Sequence, residues 1–516
     1  MVRFVPKPRT QSGEKKSKKQ TISLEKAMDK FDKWIEIAKL DAKPHQRAGV
    51  KWCLTKELGN KPIQGVRGGL VADEMGLGKT YTMIGMIMSN FMKRTLIVLP
   101  VALIDQWFRH IKITTGHDAL VYHGAKRSQI SYERVKNAPI VITSYGTVAG
   151  GATLMHHFRW SRVLFDEAHH LRNEKTTRYA GALQIRAKIR WLITGTPIQN
   201  RRSDFFALCK MMGLRESYYS HQKNLRELAK NFLLKRTKKQ VGIHLPTKHE
   251  HVILVKWKSR KERQLAEDLH AALSFTGTFT NGRKVNKAVE SMGNYKLPIM
   301  LRARQTCVMP RLLNKGVRSK NPGLFDGEQE DEETFAAAMG SSSKMDAVVD
   351  LIKSRKDNGR PKLIFCHFRG EIDAVSDRLK QLGMTVGQFD GRTSQNEREE
   401  ILMANTDALI LQIQTGCEGL NLQQFKEVYF VSPTWNPAIE DQAVARSHRI
   451  GQTKPVDVFR FVMEGFGQKS ITLDSHVQSI QSFKRQEADL LDETSKETEK
   501  IQEPNSQLSP NAQLPE

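Results

Sequence analysis

A glycine-bearing stretch at residues 71–80, Val-Ala-Asp-Glu-Met-Gly-Leu-Gly-Lys-Thr, has the residue types that bind phosphate groups. It is typical of a strand end, a tight turn and a Lys-Thr pair that opens a helix. Backbone N–H groups of such a turn can point at phosphate oxygens, Lys79 can reach the β- and γ-phosphates, and the Thr80 hydroxyl can hold Mg²⁺. The usual pattern begins with glycine, where this chain has Asp73, so a turn that serves only packing remains an alternative.

Two polar segments follow apolar runs further along the chain: 166–169 (Asp-Glu-Ala-His) and 194–197 (Thr-Gly-Thr-Pro). In open parallel sheets ligands bind beyond the carboxyl ends of the strands, so residues that directly follow a strand are candidates for chemistry. Asp166 can hold the Mg²⁺ that Thr80 touches, and Glu167 can orient and deprotonate an attacking water. Together with the phosphate-binding turn, these acids predict a nucleoside triphosphatase; a solvated acidic turn is the alternative.

The elements that must position these residues are predicted from apolar runs. Runs that are nearly continuous, rather than alternating, are typical of parallel strands covered on both faces. In the first half of the chain they are 69–72, 95–99, 139–145, 162–165 and 191–194. In the second half they are 363–368, 385–389, 408–413, 427–431 and 456–462. The sequence therefore predicts an α/β protein with two parallel sheets.

Changes of composition along the chain predict five regions. These are a basic, disordered arm at 1–30, a first α/β lobe at 31–200, a helical and basic insertion at 201–345 with an acidic loop near 326–343, a second α/β lobe at 346–468, and a helix followed by a disordered acidic tail at 469–516. The phosphate-binding turn and both acids fall in the first lobe.

The charge balance predicts a polyanionic partner. The chain has 516 residues, a formal net charge of +27 and a pI near 9.8, which suits phosphate contacts and counterion release on nucleic acid. Part of the charge lies in lysines of the N-terminal arm, where simple solvation is the alternative. The five cysteines are scattered without a Cys-x-x-Cys pair, which predicts a reducing compartment and no structural zinc site. The longest apolar run, 96–104, is interrupted by Pro100 and is too short to cross a bilayer, so no membrane partner is expected.

Several segments are more specific than the phosphate-binding turn alone. They are 73–80 (Asp-Glu-Met-Gly-Leu-Gly-Lys-Thr), 166–169 (Asp-Glu-Ala-His), 192–200 (Leu-Ile-Thr-Gly-Thr-Pro-Ile-Gln-Asn), 234–239 (Leu-Lys-Arg-Thr-Lys-Lys) with 245–248 (Leu-Pro-Thr-Lys), and 442–452 (Gln-Ala-Val-Ala-Arg-Ser-His-Arg-Ile-Gly-Gln). Together they resemble the Swi/Snf-type ATPases, which belong to the superfamily-two helicase-like motors. The resemblance implies two RecA-like parallel-sheet lobes in tandem with a helical insertion between them.

The resemblance also implies an ATP site shared between the lobes. ATP contacts are expected from Gln46, Asp73, Glu74, Met75, Gly76, Leu77, Gly78, Lys79, Thr80, Gly419, Arg446 and Arg449. The residues expected to be catalytic are Lys79, Asp166, Glu167, Arg446 and Arg449, with Mg²⁺ held by Thr80 and Asp166. Arg446 and Arg449 lie three residues apart on one predicted helix, so they should share a face and act on one γ-phosphate. Phosphate-backbone contacts are the alternative for these arginines, and a helix-capping role is the alternative for Gln46, which matches the family's adenine-side glutamine.

Other segments match the DNA-track motifs of the family. The residues implied are Pro100, Thr143, Ser144, Tyr145, Asp390, Gly391, Arg392, Gln414 and Thr415. Small or hydroxyl residues at strand ends let backbone N–H groups approach phosphates. Trp107 is expected in the core rather than stacked on a base, and Cys366 and His367 are expected to pack in a buried strand. The chain departs from the family at 432–434 and at Glu418, which bears on the DNA contacts of the second lobe.

The residues and the resemblance together predict a DNA-dependent ATPase that couples hydrolysis to translocation along double-stranded DNA, in remodelling, transcription or repair. The expected cofactors are ATP and Mg²⁺, and the expected partner is duplex DNA. A monomeric motor is expected, with further protein subunits left open, at an intracellular location in the nucleus or at another site of DNA. A strand-separating DNA or RNA helicase is one alternative, and a non-catalytic nucleic-acid-binding scaffold is the second.

Overall fold

The computed structural model describes residues 22–500, apart from 42, 152, 197–201, 272–295, 314–339, 417–419 and 468–469. Two parallel sheets form the centres of two α/β lobes that follow one another along the chain, which confirms the predicted fold class. Several predicted features lie outside the described residues, namely Gly419, Pro197, most of the acidic loop near 326–343, and the outer parts of the N-terminal arm and C-terminal tail. In the described part of the chain, no helix combines the length and apolar character needed to cross a bilayer.

The first lobe is built on a seven-stranded parallel sheet. Its strands are β1 (Gly68–Val71), β2 (Thr95–Leu99), β3 (Leu120–Tyr122), β4 (Ile140–Ser144), β5 (Arg159–Asp166), β6 (Arg186–Ile193) and β7 (Leu233–Leu234). Across the sheet they lie in the order β3-β4-β2-β5-β6-β1-β7. Apolar cores cover both faces, so β1, β2 and β4 are buried at every position and appear in the sequence as continuous apolar runs.

The second lobe has a six-stranded parallel sheet. Its strands are β8 (Lys248–Val255), β9 (Lys362–Cys366), β10 (Val386–Phe389), β11 (Ala408–Gln412), β12 (Glu427–Phe430) and β13 (Val456–Met463), in the order β10-β11-β9-β12-β13-β8. Two apolar cores again cover its faces. Cys366 is buried at the end of β9, as expected, and His367 follows it with a pKa that burial lowers well below the ordinary value.

Helices connect and cover the strands. They are α1 (Leu24–Ile37), α2 (Pro44–Leu58), α3 (Lys79–Ser89), α4 (Ile104–Thr115), α5 (Tyr132–Asn137), α6 (Tyr145–Val148), α7 (Leu154–His157), α8 (Thr177–Gln184), α9 (Arg202–Met212), α10 (Glu216–Tyr219), α11 (Leu225–Phe232), α12 (Arg260–Ala271), α13 (Lys296–Val308), α14 (Ser343–Ser354), α15 (Arg369–Gln381), α16 (Gln395–Met403), α17 (Ile413–Gly416), α18 (Pro437–Ser447) and α19 (Leu473–Lys500). Short 3₁₀ turns lie at Val101–Leu103, Ala125–Gln129, Ala168–Leu171, Gln222–Asn224 and Pro310–Leu312.

Two predicted boundaries differ from the structure. The segment 201–345, predicted as helical, also supplies β7 to the first sheet and β8 to the second. β7 is only two residues long, and the first half of β8 is polar and exposed, so neither forms an apolar run. The predicted arm 1–30 overlaps α1, which begins at Leu24 because Ser23 caps it and an apolar face packs against the first lobe.

The strand order determines where the chemistry lies. β6 lies between β5 and β1, so the segments that follow these three strands meet at one carboxyl edge of the sheet. The phosphate-binding turn follows β1, the segment 166–169 begins at the end of β5, and Thr194 follows β6. The topology therefore gathers the sequence-predicted groups of the first lobe at a single site.

Candidate functional site

The turn between β1 and α3 is shaped by two glycines. Gly76 and Gly78 have positive φ angles of 91° and 79°, which glycine adopts without the steric cost of a side chain. A Cβ added to Gly78 would lie 2.2 Å from Nε2 of Gln46, so a side chain there would displace the Gln46 amide. Gln46 Nε2 donates to the carbonyl oxygen of Leu77 over 3.2 Å. The structure therefore brings the predicted adenine-side glutamine onto the turn.

Lys79 opens α3, and its amine lies inside the turn. Nζ donates to the carbonyl oxygen of Asp73 over 2.8 Å. Burial lowers the pKa of Lys79, and the nearby carboxylates of Glu167 and Asp166 act in the opposite direction. Thr80 takes the next position of the helix, where its hydroxyl would be a neighbour of a phosphate held by the turn.

Asp166 is the last residue of β5, and hydrogen bonds fix its carboxylate on both oxygens. The indole N–H of Trp107 donates to Oδ2 over 2.7 Å, and the backbone N–H of Glu167 donates to Oδ1 over 2.9 Å. The Tyr145 hydroxyl donates to the backbone oxygen of Asp166 over 2.7 Å. Trp107 is in the core as expected, but its contact with Asp166 has no signal in the sequence, because the two residues lie far apart in the chain.

Glu167 has an unusual backbone and close charged neighbours. Its φ of 48° lies in the left-handed region, which costs conformational energy for a residue with a side chain. Its Oε2 lies 3.2 Å from Nδ1 of His169. Burial would raise the pKa of this carboxyl, but the His169 hydrogen bond and the charges of Lys79 and Arg446 outweigh burial and hold the pKa below its ordinary value. Glu167 is therefore ionised at neutral pH, as an acceptor for a proton of water must be.

The arginines of the second lobe border the phosphate turn of the first. The β-carbon of Arg449 lies 3.8 Å from the position that a Cβ on Gly76 would occupy. The positive charge of Arg446 contributes to lowering the pKa of Lys79 and of Glu167, so its guanidinium lies near those two groups. The residues expected to form two halves of one site are thus brought together.

The expectation that both arginines share one helix is wrong. α18 ends at Ser447, so it contains Arg446, and Arg449 lies in the loop that follows. Nε2 of Gln452 donates to the carbonyl oxygen of Ser447 over 3.0 Å and so takes a bond that a continuing helix would make, and Gly451 turns the chain with a φ of 97°. The two side chains therefore approach the site from a helix and from a loop.

The carboxylates of the phosphate turn are occupied by basic residues that the sequence analysis did not assign to the site. Asp73 accepts bonds of 3.0 Å from Nε and 2.5 Å from Nη2 of Arg236. Oε2 of Glu74 accepts the backbone N–H of Lys238 over 2.7 Å, and Oε1 lies 2.9 Å from the Lys238 ammonium. Any contact of Asp73 or Glu74 with ATP would therefore involve their backbone atoms. A signal existed in the sequence, since an acidic pair opens the turn and the densely basic segment 235–239 supplies the opposite charge.

A cavity of about 150 Å³ opens beside the turn. It is lined by Phe31, Trp34, Ile35, Leu40, Asp41, Lys43, Gln46 and Tyr81. Aromatic and aliphatic walls with a few polar groups suit a planar base. The wall combines residues of α1, of the segment before α2, of α2 and of α3, so the cavity depends on how these helices pack and has no local signal in the sequence.

The residues predicted to contact DNA differ in accessibility. In the first lobe the buried ones are Pro100, Thr143, Ser144 and Tyr145. The Thr143 hydroxyl donates to the carbonyl oxygen of Tyr122 over 2.8 Å, and that of Tyr145 is used at Asp166. In the second lobe Gly391, Arg392 and Gln414 are exposed, Thr415 lies in α17, and the buried Asp390 accepts a bond of 2.6 Å from Nη2 of Arg392. Contact with DNA stays a prediction for all of them.

Magnesium fits the residues at the end of β5 and the start of α3. Among the described residues, no group of three or more His, Cys, Asp or Glu side chains is arranged to hold a metal ion. Mg²⁺ does not need such a group, since proteins commonly bind it through one or two carboxylates, waters and substrate phosphates. Burial and the negative charge of Glu167 raise the pKa of Asp166, so a cation bound at Asp166 and Thr80 would relieve an electrostatic cost.

Comparison with known protein families shows which family the chain belongs to. The SNF2-related domain matches residues 45–312, and the helicase conserved C-terminal domain matches residues 343–451. The chain belongs to the SNF2-related family. The resemblance to Swi/Snf-type ATPases is confirmed, and with it membership of a family of helicase-type, ATP-dependent enzymes.

Relatives of this SNF2-related chain come from distant organisms. An uncharacterized ATP-dependent helicase of Mycoplasma pneumoniae is 26% identical over 489 residues, which cover 88% of this chain and 43% of the relative. The mouse SWI/SNF-related matrix-associated actin-dependent regulator of chromatin subfamily A member 1 is 27% identical over 469 residues, which cover 83% of this chain and 42% of the relative. The chain thus spans about half the length, or less, of these curated relatives. A solved structure, the Sulfolobus solfataricus SWI2/SNF2 ATPase core in complex with dsDNA, is 24% identical with a TM-score of 0.38, and the match covers 89% of this chain and 95% of that one.

Proposed function

We propose that this SNF2-related chain is a DNA-stimulated ATP hydrolase that couples hydrolysis to translocation along duplex DNA. The observation that carries the proposal is the approach of Arg449, from the second lobe, to Gly76 in the phosphate turn of the first. A site completed by two lobes makes hydrolysis depend on their closure, so that each turnover is tied to a movement.

The residues of the first lobe bind the triphosphate and activate the water. N–H groups of the turn and the Lys79 ammonium bind the β- and γ-phosphates. Glu167, ionised and held by His169, orients the attacking water and accepts its proton. Thr80 and Asp166 would hold Mg²⁺, which would supply positive charge beside the phosphate oxygens.

The second lobe supplies positive charge where negative charge develops. Arg446 and Arg449 stabilise the γ-phosphoryl group in the transition state, as arginine fingers do in other phosphoryl-transfer enzymes. Because they come from a different lobe than Lys79, they are aligned with the phosphate only when the lobes are closed. Opening of the lobes then stops hydrolysis and releases the products.

The cavity beside the turn is proposed to hold the adenine. Gln46 belongs both to this cavity and, through its bond to Leu77, to the phosphate turn. A base in the cavity would therefore lie at the correct end of a nucleotide whose phosphates occupy the turn. Tyr81, on the first turn of α3, supplies an aromatic ring for stacking.

Duplex DNA is proposed as the partner because of the charge of the chain and the relatives it has. The formal net charge of +27 favours a polyanion, and one relative is named as a regulator of chromatin. We propose an intracellular protein that works at DNA, in the nucleus or elsewhere, as a monomeric motor to which other subunits can be added. Alternating grip of the two lobes on phosphates would advance the motor.

ATP turnover with different nucleic acids tests this proposal. Phosphate release is measured with duplex DNA, single-stranded DNA, RNA or no nucleic acid, and duplex DNA is expected to stimulate most. Glu167→Gln should bind ATP but lose turnover by about 10²- to 10⁴-fold, because the proton acceptor is gone. The exposed Glu133 of α5 offers a matched control, and Glu133→Gln should behave like the wild type.

Three other outcomes would each contradict a different part of the proposal. Near-normal DNA-stimulated turnover by Glu167→Gln would remove the role given to Glu167. Equal or greater stimulation by single-stranded DNA or RNA would favour a strand-separating helicase. A wild-type protein that binds DNA without hydrolysing ATP would favour a nucleic-acid-binding scaffold.

A further inference from the structure

The segment 235–247, here called the crossover, links the two sheets and passes beside the phosphate turn. It leaves the first sheet after β7, which pairs with β1, and enters the second as β8, which pairs with β13. Its ends are therefore fixed to both lobes. Parts of the crossover, 235–239 and 245–247, belong to segments that resemble the family, but no role in the site follows from that resemblance.

The first anchor of the crossover is the start of the phosphate turn. The ladder between β1 and β7 continues beyond the strands, with the Ala72 N–H donating to Leu234 O over 2.7 Å and the Glu74 N–H donating to Arg236 O over 2.9 Å. Arg236 binds the carboxylate of Asp73 with two bonds, and its Nη1 donates to the carbonyl oxygen of His45 over 2.6 Å. The guanidinium thus joins the start of the turn to the helix that carries Gln46.

The second anchor lies where the two lobes meet. Lys238 binds Glu74 through its backbone N–H and through its ammonium group. The Lys238 side chain is only 12% exposed. Its Cε lies 3.6 Å from the Cβ position of Gly76, and the β-carbon of Arg449 lies 3.8 Å from the same position. The Lys238 side chain and the Arg449 side chain therefore flank one residue of the phosphate turn.

The third anchor holds the loop that carries Arg449. Nε2–H of His448 donates to the carbonyl oxygen of Pro246, near the end of the crossover, over 2.7 Å. The next residue of the crossover, Thr247, accepts the backbone N–H of Val456 over 3.1 Å as β13 begins. A single stretch of chain is thus bound to the phosphate turn near its start and to the arginine loop near its end.

We infer that the crossover sets the position of Arg449 relative to the phosphate turn. The contact between Lys238 and Glu74 fixes this position. Lys238 is then a positioning residue: it acts on hydrolysis by aligning the turn with the arginine, without touching the reacting atoms. A misalignment of about 1 Å in such a site costs on the order of 10²-fold in rate. This inference rests on the proposed function, since it concerns the same hydrolysis.

A double-mutant cycle on ATP turnover tests the contact between Lys238 and Glu74. Lys238→Met keeps the side-chain stem and removes the charge, and Glu74→Gln keeps an acceptor for the Lys238 backbone N–H. Each single change should lower kcat by roughly ten- to a hundredfold, with the KM for ATP within about threefold of the wild type. Because the two residues act through one contact, the double variant should be no slower than the slower single variant.

Lys239 supplies the matched control, because it is the next residue and is exposed. Lys239→Met should hydrolyse ATP at the wild-type rate. Wild-type kcat in Lys238→Met and Glu74→Gln, or multiplication of the two single losses in the double variant, would overturn the inference. An equal rise in KM and fall in kcat would also overturn it, because that result describes general damage to ATP binding. A wild-type protein without ATP turnover would instead contradict the proposed function itself.

Discussion

Arg449 reaches the phosphate turn from a loop that is fixed at its base. His448 binds the carbonyl oxygen of Pro246, and the Gln452 N–H donates to the carbonyl oxygen of Arg449 over 2.9 Å. Burial and the positive charge of Arg446 lower the pKa of Arg449, so the two cations are unfavourable neighbours until an anion lies between them. A γ-phosphate is an anion of the required charge, and its binding would compensate this repulsion.

Replacing Arg449 by alanine should therefore affect turnover more than binding. The guanidinium is needed most where negative charge has developed, so kcat of Arg449→Ala should fall by on the order of 10³-fold or more. ATP affinity, measured with a fluorescent nucleotide, should change much less. Arg311, which is exposed, provides the control, and Arg311→Ala should keep both values. Equal losses of affinity and turnover would make Arg449 a plain binding residue.

Single residues differ in how well their place could be predicted. Asp166 ends β5, Glu167 follows it, and Lys79 lies beyond the turn that follows β1, so their meeting follows from the topology of a parallel sheet. Trp107 and Lys238 could not be assigned in this way, because their partners in the site are distant in the chain and the contacts depend on how helices and loops pack.

Among the elements, strands that contain a clear apolar run were predicted from the sequence, whereas the short or polar strands β3, β7 and β8 were not. Both faces of β2 and β9 are buried, so the sequence shows an uninterrupted apolar run for each. β8 lies at the edge of its sheet with most of its residues exposed, and its place is fixed by pairing with β13 over eight residues. Pairing across the sheet, which local sequence does not encode, decides such an edge strand.

A buried histidine of another helix caps the first backbone N–H of α19. His270, on α12, accepts the backbone N–H of Leu473 on Nε2 over 2.9 Å and donates from Nδ1 to the carbonyl oxygen of Ala266 over 2.6 Å. This pattern requires the neutral ring. Burial lowers the pKa of His270 from 6.5 to about 4, although Asp474 nearby acts in the opposite direction. Protonation would remove the acceptor that caps the first N–H of α19.

Acid should therefore destabilise the second lobe through His270. Between pH 6.5 and about 4 the unfolded chain binds a proton that the folded chain does not, so the free energy of unfolding falls as the pH falls. From pH 7 to pH 5 this single group should lower the free energy of unfolding by about 2 kcal/mol. Urea unfolding followed by circular dichroism should show a pH dependence smaller by that amount in His270→Gln. The exposed His117 is the control, and equal pH dependence in His270→Gln and the wild type would contradict the assignment.

At the scale of the whole molecule, the two lobes are held together in more than one place. The crossover joins the phosphate turn to the arginine loop, and α19, which packs on α13 and β13 of the second lobe, also contacts α11 beside the first sheet. Arg109 of α4 lies 3.8 Å from Glu399 of α16, but both side chains are exposed, so this pair contributes little stability. The crossover and α19 therefore connect the two lobes, and the surface ion pair adds little to that connection.

The proposed movement along a duplex can be separated experimentally from unwinding. A third strand bound to a duplex should be displaced by the wild-type protein with ATP, because a motor that tracks the duplex removes what lies in its path. A forked duplex of the same length should keep its strands paired. Because many phosphate contacts by a basic protein release counterions, displacement should also weaken steeply as salt rises.

Glu167→Gln provides the control for both substrates, since it should bind ATP and DNA without displacing the third strand. Separation of the forked duplex at a rate similar to triplex displacement would establish the strand-separating alternative. Stimulated ATP turnover without displacement of the third strand would contradict translocation and leave a DNA-stimulated ATPase that acts in place. The two substrates together therefore distinguish movement along DNA from separation of its strands. Both activities would use the same ATP site and would differ in the effect of lobe closure on the nucleic acid.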